Sequence, residues 1–176
     1  MKAIWQLDLP DVAATETFAQ SFAHCAQPPL VVLLSGDLGA GKTTWARAVL
    51  RAWGWAGTVR SPTYTLLETY DATAIGPVHH LDLYRLRTPE ELEDLGLADL
   101  WPTPAVWFIE WPTQGAGYLP PADLTLDWVH KTSGRQVRLM AASEMGERLL
   151  AQWAPTLKQW GAAQTCQANE ESSLSE

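Results

Sequence analysis

The chain has 176 residues, 47% of them hydrophobic, and carries a formal net charge of −8. That length suits one domain whose core needs no disulfide or structural metal, and the only cysteines, Cys25 and Cys166, have no framework or zinc spacing. No stretch reaches the roughly 18 uninterrupted apolar residues of a membrane span, and MKAIWQLDLPD has no secretory-signal pattern. With 12 Lys and Arg and no dense basic run, the chain is not expected to grip nucleic acid unaided. A cytoplasmic protein is expected, with no membrane or DNA partner and with any RNA contact made through another subunit. The many tryptophans read mainly as core residues.

Lys2 to Leu9 alternates weakly and predicts a short strand. Asp11 is a candidate cap for a helix to about Ala26, with Val12, Thr15, Phe18, Phe22 and Ala26 at helical spacing. The run Leu30 to Leu34 predicts a strand buried on both faces, as in a parallel sheet. A glycine-rich turn follows, then a helix from Lys42 to Trp53 that Gly54 stops. Thr63 to Tyr70 and Val78 to Tyr84 predict strands. Thr88-Pro89-Glu90-Glu91 is a capping box opening a helix to about Leu95. Ala105 to Ile109 is a second fully buried strand, and Pro112 to Pro121 a loop. Leu124 to His130 and Gln136 to Met140 alternate about Ser133-Gly134, which predicts a hairpin. A final amphipathic helix is expected from about Ser143 to Trp160. These elements make one domain over residues 1–161, and residues 162–176 read as a disordered acidic tail.

The turn Gly36-Asp37-Leu38-Gly39-Ala40-Gly41-Lys42-Thr43 matches G-x-x-x-x-G-K-[ST] between an apolar strand and a helix. Its glycines allow successive N–H groups to point inward as an anion nest, and the helix adds its positive end. Lys42 is placed to reach the β- and γ-phosphates of a nucleoside triphosphate, and the Thr43 hydroxyl to ligate magnesium. Two carboxylates are candidates for the metal side, Asp82 after Val78-His79-His80-Leu81 and Glu110 after the strand ending in Ile109. Either suits the metal, with the other orienting the attacking water. The pair favours hydrolysis over binding alone. His79 and His80 read as strand residues rather than ligands. Between the P-loop helix and Asp82 lies Ser61-Pro62-Thr63, a turn with the look of a switch that senses the γ-phosphate.

The blocks GDLGAGKTTWARAVL, SPTYTLLETY, HLDLYRL, EELEDLGLADL and FIEWP, in this order and spacing, closely resemble the TsaE (YjeE) family from about Leu9 to Leu150. The resemblance implies a Mg-dependent P-loop ATPase, weak alone and stimulated in complex, that serves synthesis of threonylcarbamoyladenosine in tRNA beside the TsaD–TsaB pair. The tRNA would be met indirectly, through the complex. The implied fold is a P-loop NTPase-like three-layer α/β sandwich, its central sheet mostly parallel with flanking antiparallel strands. By the same resemblance ATP lies along Gly39, Ala40, Gly41, Lys42, Thr43 and Thr44, and Mg2+ belongs to Thr43, Asp82 and Glu110. Lys42, Glu110, Asp82 and Thr63 carry the catalytic roles, with Trp111 beside Glu110, and Val12 and Gly134 fall near the adenine.

Two other classes share the phosphate loop. A small-molecule kinase usually brings a lid with several arginines, whereas Arg60, Arg85, Arg87, Arg135, Arg138 and Arg148 are scattered. A GTPase of the usual form needs Asn-Lys-x-Asp, and the only asparagine is Asn169. A nucleotide-sensing adaptor without hydrolysis would differ from the ATPase only in whether Glu110 works.

Overall fold

The computed structural model describes residues 2–71 and 73–167. Its eight strands are β1 (Lys2–Leu9), β2 (Leu30–Gly36), β3 (Leu67–Tyr70), β4 (Val78–Asp82), β5 (Val106–Glu110), β6 (Leu124–His130), β7 (Arg135–Ala141) and β8 (Ala163–Gln167). They form one sheet in the order β3-β4-β5-β2-β6-β7-β1-β8. β4, β5, β2 and β6 run parallel at its centre, and the remaining pairings are antiparallel. The expected parallel centre with antiparallel flanks is present. The flanks take a larger share than expected, because two hairpins and the outer pair β1 and β8 all add to it.

Four α-helices join the strands: α1 (Val12–Cys25), α2 (Lys42–Ala52), α3 (Leu97–Leu100) and α4 (Glu144–Leu157). Alternation along the central strands divides the core between the two faces of the sheet. Val32, Leu34, Val106, Phe108, Leu124 and Leu126 join a cluster with Phe18, Phe22, Trp45, Val49 and Trp153 of α1, α2 and α4. Val31, Leu33, Leu81, Trp107 and Ile109 meet Leu92 and Leu97 on the other side. That second layer is thin, built from α3 and two 3₁₀ segments, Pro89–Leu95 and Pro112–Gly115. Thr88 and Glu91 do form the capping box. The segment stays 3₁₀ because only seven residues precede Gly96, which turns left-handed at φ 67°, and so short a stretch gains little from α-helical propagation.

The tryptophans largely bear out their core reading. Trp5, Trp45, Trp53, Trp107, Trp128 and Trp153 are all at most 5% exposed. Phe18 stacks on Trp153 at 4.9 Å and Phe22 lies 4.9 Å from Trp45. Deleting one such ring costs about 3–5 kcal/mol. Asp11 caps α1 by accepting from the Ala14 N–H at 2.7 Å, as expected, but Val12 is half exposed rather than part of the core.

Three spans differ from expectation. Residues 63–66 are turn rather than strand, since Leu66 takes φ 62°, a conformation that no strand continues through. The last helix changes at Lys158 to a 3₁₀ turn, Lys158–Trp160. Ala163–Gln167, expected as the start of a disordered tail, pairs antiparallel with β1, because backbone groups at an open edge accept a strand whatever its side chains. The expectation for 168–176 lies outside the described residues.

Candidate nucleotide site

Three neighbouring strand ends build the site. The register sets Leu34 beside Glu110 and Glu110 beside Asp82, so the two carboxylates end adjacent strands next to the strand that leads into the phosphate loop. Both are nearly buried, at 2% and 4% exposure, which a charged group tolerates only with good partners.

The loop needs glycine at two places for steric reasons. Gly36 has φ 132°, and a Cβ there would overlap the Trp128 carbonyl oxygen. Gly41 has φ 116°, and its missing Cβ leaves room for the Arg135 guanidinium. Gly41 also opens α2, with the Trp45 N–H bonding its carbonyl at 2.9 Å. Unsatisfied N–H groups of that first turn give the site a positive end.

Lys42 is 4% exposed. Its Nζ donates to the carbonyls of Gly36 and Asp37 and lies 4.6 Å from the centroid of the Trp111 ring. Burial pushes its pKa below the ordinary lysine value, while the Glu110, Asp82 and Asp37 carboxylates oppose that shift. Thr43 Oγ1 donates to Glu110 Oε1 at 2.8 Å, and the same oxygen lies 2.8 Å from His80 Nε2. Asp82 serves a different partner. Its Oδ2 accepts from Thr63 Oγ1 at 2.9 Å and Ser61 Oγ at 3.2 Å, and its Oδ1 accepts from the Tyr84 N–H at 3.0 Å.

One cavity collects Gly39, Gly41, Lys42, Thr43, Thr44, Thr63, Asp82 and Glu110, together with Leu38, Ser61, Tyr84 and Trp111. Ala40 is fully buried in the loop beneath it. Val12 stands apart, on a wider groove between α1 and α2 with Glu16, Gln20, Arg47 and Arg51, and this groove meets the first cavity at Thr44. Gly134 lines neither. It turns between β6 and β7 at φ 77°, where a Cβ would overlap the backbone of Leu9 and Pro10.

Two residues at the site had no signal in the sequence. His80 reaches Glu110 diagonally across two parallel strands. Arg135 comes from the far hairpin to lie on Gly41, and its buried Nε has no partner. Neither contact follows from local spacing. Among the described residues no group of three or more His, Cys, Asp or Glu is arranged to hold a metal ion alone. The oxygens of Thr43, Glu110 and Asp82 instead form a set of hard donors beside an anion nest, which suits magnesium shared with phosphate and water.

Known proteins resemble this chain over most of its length. Residues 9–137 match the family model for threonylcarbamoyl adenosine biosynthesis protein TsaE. The chain is 38% identical over 148 residues to the tRNA threonylcarbamoyladenosine biosynthesis protein TsaE of Haemophilus influenzae, covering 81% of this chain and 93% of that one. It is 34% identical over 134 residues to the Bacillus subtilis protein of the same name, covering 76% and 82%. The crystal structure of Bacillus subtilis YdiB superposes with a TM-score of 0.75 at 25% identity, over 89% of this chain and 97% of that one. With the match extending from the end of β1 into β7, this chain belongs to the TsaE family.

Proposed function

We propose that this protein binds and hydrolyses ATP as a component of the machinery that makes threonylcarbamoyladenosine in tRNA, acting with TsaD and TsaB to support turnover. The observation that carries this reading is the Thr43–Glu110 hydrogen bond, 2.8 Å long. It joins the P-loop hydroxyl to a carboxylate ending the adjacent strand, and the hydroxyl's lone pairs stay available to a cation. Thr43 and Glu110, with Asp82, are the residues that would hold Mg2+. Bound there with a triphosphate, the ion would neutralise charge on the phosphoryl oxygens. Lys42 would exchange its two carbonyl partners for phosphate oxygens. The second Glu110 oxygen would orient an attacking water, and Thr63, tied to Asp82, would report the γ-phosphate through its loop. The groove reached through Thr44 offers Val12 as an apolar contact for the base, while Gly134 acts there through the turn it permits.

The relatives' names supply the pathway. The net charge of −8 favours contact with tRNA through TsaD and TsaB rather than directly. Among the described residues no helix is long and apolar enough to cross a membrane, which accords with work in the cytoplasm on tRNA. We treat residues 1–161 as the catalytic unit.

The test is phosphate release from ATP by the protein alone and then with TsaD, TsaB and tRNA. A rise with partners that Lys42→Ala abolishes is expected. Phosphate transferred to a small acceptor instead would make the protein a kinase and end this reading.

A further inference from the structure

We infer that His80 is a positioning residue for Glu110, fixing the carboxylate for its work at the cation and the attacking water. The inference rests on the ATPase reading above.

His80 is wholly buried and does not line the phosphate cavity, so it acts only through a neighbour. Strand register pairs His80 with Phe108 and Asp82 with Glu110. Alternation then puts His80 and Glu110 on one face, with the imidazole one layer beneath the carboxylate. Nε2 stands 2.8 Å from Glu110 Oε1. An ionised carboxylate only accepts, so this nitrogen carries the hydrogen in either charge form of the ring.

Thr43 donates to the same oxygen. With Oε1 held from below and from the side, the carboxylate plane is fixed where Glu110 lines the cavity. A nearly buried Glu110 with Thr43 alone would be free to rotate about its last bond, and its Thr43 contact is one that cation binding rearranges. His80 is the fixed point in that exchange.

A packing role explains the residue poorly. Val78 and Phe108 share its face, with the Phe108 ring edge-on at 6.4 Å, and Glu68, opposite His80 on β3, gives its carboxylate to Thr65 rather than to the ring. The other ring nitrogen, Nδ1, is buried without a partner. Phenylalanine would fill this space without that orphan, so the one contact that requires an imidazole is the contact to Glu110.

The experiment compares His80→Phe, His80→Gln and His80→Asn with wild type. Steady-state hydrolysis is measured with the partner proteins, and ADP affinity by calorimetry with and without Mg2+. Glutamine places an N–H near the position of Nε2, while asparagine reaches only that of Nδ1. Phe and Asn are expected to lower kcat by about 10- to 100-fold, with KM and Mg2+-free ADP affinity within about threefold of wild type. Gln is expected to restore most of kcat. Wild-type kcat in His80→Phe overturns the inference, as does Gln no better than Asn, or ADP affinity without Mg2+ falling in step with kcat. If His80→Phe does not fold, the Gln and Asn pair decides. If wild type hydrolyses no ATP in any assembly, the ATPase reading fails by itself. His80 is then judged on the Mg2+-dependent gain in ADP affinity: lost in Phe and Asn but kept in Gln supports the role, and unchanged in all three overturns it.

Discussion

The Lys42 ammonium lies 4.6 Å from the centroid of the Trp111 ring and is otherwise held by backbone carbonyls. It has no salt bridge within 4 Å among the described residues. A buried cation with such partners is costly to the fold and ready for an anion. Lys42→Met removes the charge and keeps the stem. Nucleotide affinity is expected to fall about 100-fold or more, while stability in urea stays level or rises by up to about 1–2 kcal/mol. Titration calorimetry and urea unfolding on one preparation check both halves. A loss of stability equal to the loss of binding would make Lys42 a structural residue.

Thr63 and Asp82 make the shortest of three contacts that tie the 61–66 turn to the strand end, beside Ser61 Oγ to the same carboxylate and the Asp82 N–H to the Leu66 carbonyl. Thr63→Val keeps the side-chain shape and removes the donor. A hydrogen bond to a charged group contributes about 1.5–3 kcal/mol when buried, and exposure of this loop brings that to about 1–2 kcal/mol of local opening energy. Amide exchange across residues 61–66 should speed up by about 5- to 30-fold, with exchange in β2 unchanged. Uniform acceleration through the sheet would contradict a local latch.

Gly134 was expected beside the base, yet its position is demanding for the fold itself. At φ 77°, with the Leu9 carbonyl and Pro10 where a Cβ would stand, Gly134→Ala combines backbone strain with overlap against main chain. A loss of about 2–4 kcal/mol is expected, seen as a lower urea midpoint with an unchanged slope. A substitution that leaves the midpoint in place and weakens only nucleotide binding would show that the contact to ligand matters more than the turn.

His79 provides the pH dependence. Burial lowers its pKa from the ordinary 6.5, with Asp71 opposing, while Thr69 bonds Nδ1 at 2.9 Å and Trp107 lies 4.2 Å away. Above 6.5 neither the folded nor the unfolded form is protonated, and this residue costs nothing. As pH falls through 6.5 the unfolded chain takes up the proton first, so stability declines until the lowered folded pKa is passed. Between pH 7.5 and pH 5.5 the loss of unfolding free energy in wild type is expected to exceed that in His79→Gln. Equal losses would place the acid sensitivity elsewhere.

The strands and main helices were legible in the sequence because burial imposes period: Leu30 to Leu34 and Ala105 to Ile109 are apolar on both faces and are central, and Phe18 and Phe22 keep helical spacing. The phosphate loop was legible because its glycines answer a local steric demand. The division of labour between the two acids was not. Glu110 serves Thr43 and Asp82 serves Thr63, which depends on the order β4-β5-β2, a long-range property that no local pattern encodes. The same holds for His80 and Arg135, whose partners are 30 or more residues away. β8 escaped notice because AQTCQ is polar, and an edge strand is held by its backbone.

The phosphate loop grows from β2, which is flanked by β5 over Leu30–Leu34 and by β6 over Val32–Gly36. The Ser61–Thr63 turn leads instead into β3, at the margin of the sheet with one neighbour. Freedom to move is therefore distributed unequally around a single cavity. Peeling β3 away breaks one short ladder and leaves the cradle standing, so the margin opens at a fraction of the free energy of global unfolding. Any difference between triphosphate and diphosphate felt at Thr63 would have a cheap outlet along this margin, whereas the phosphate loop stands on a floor that does not give.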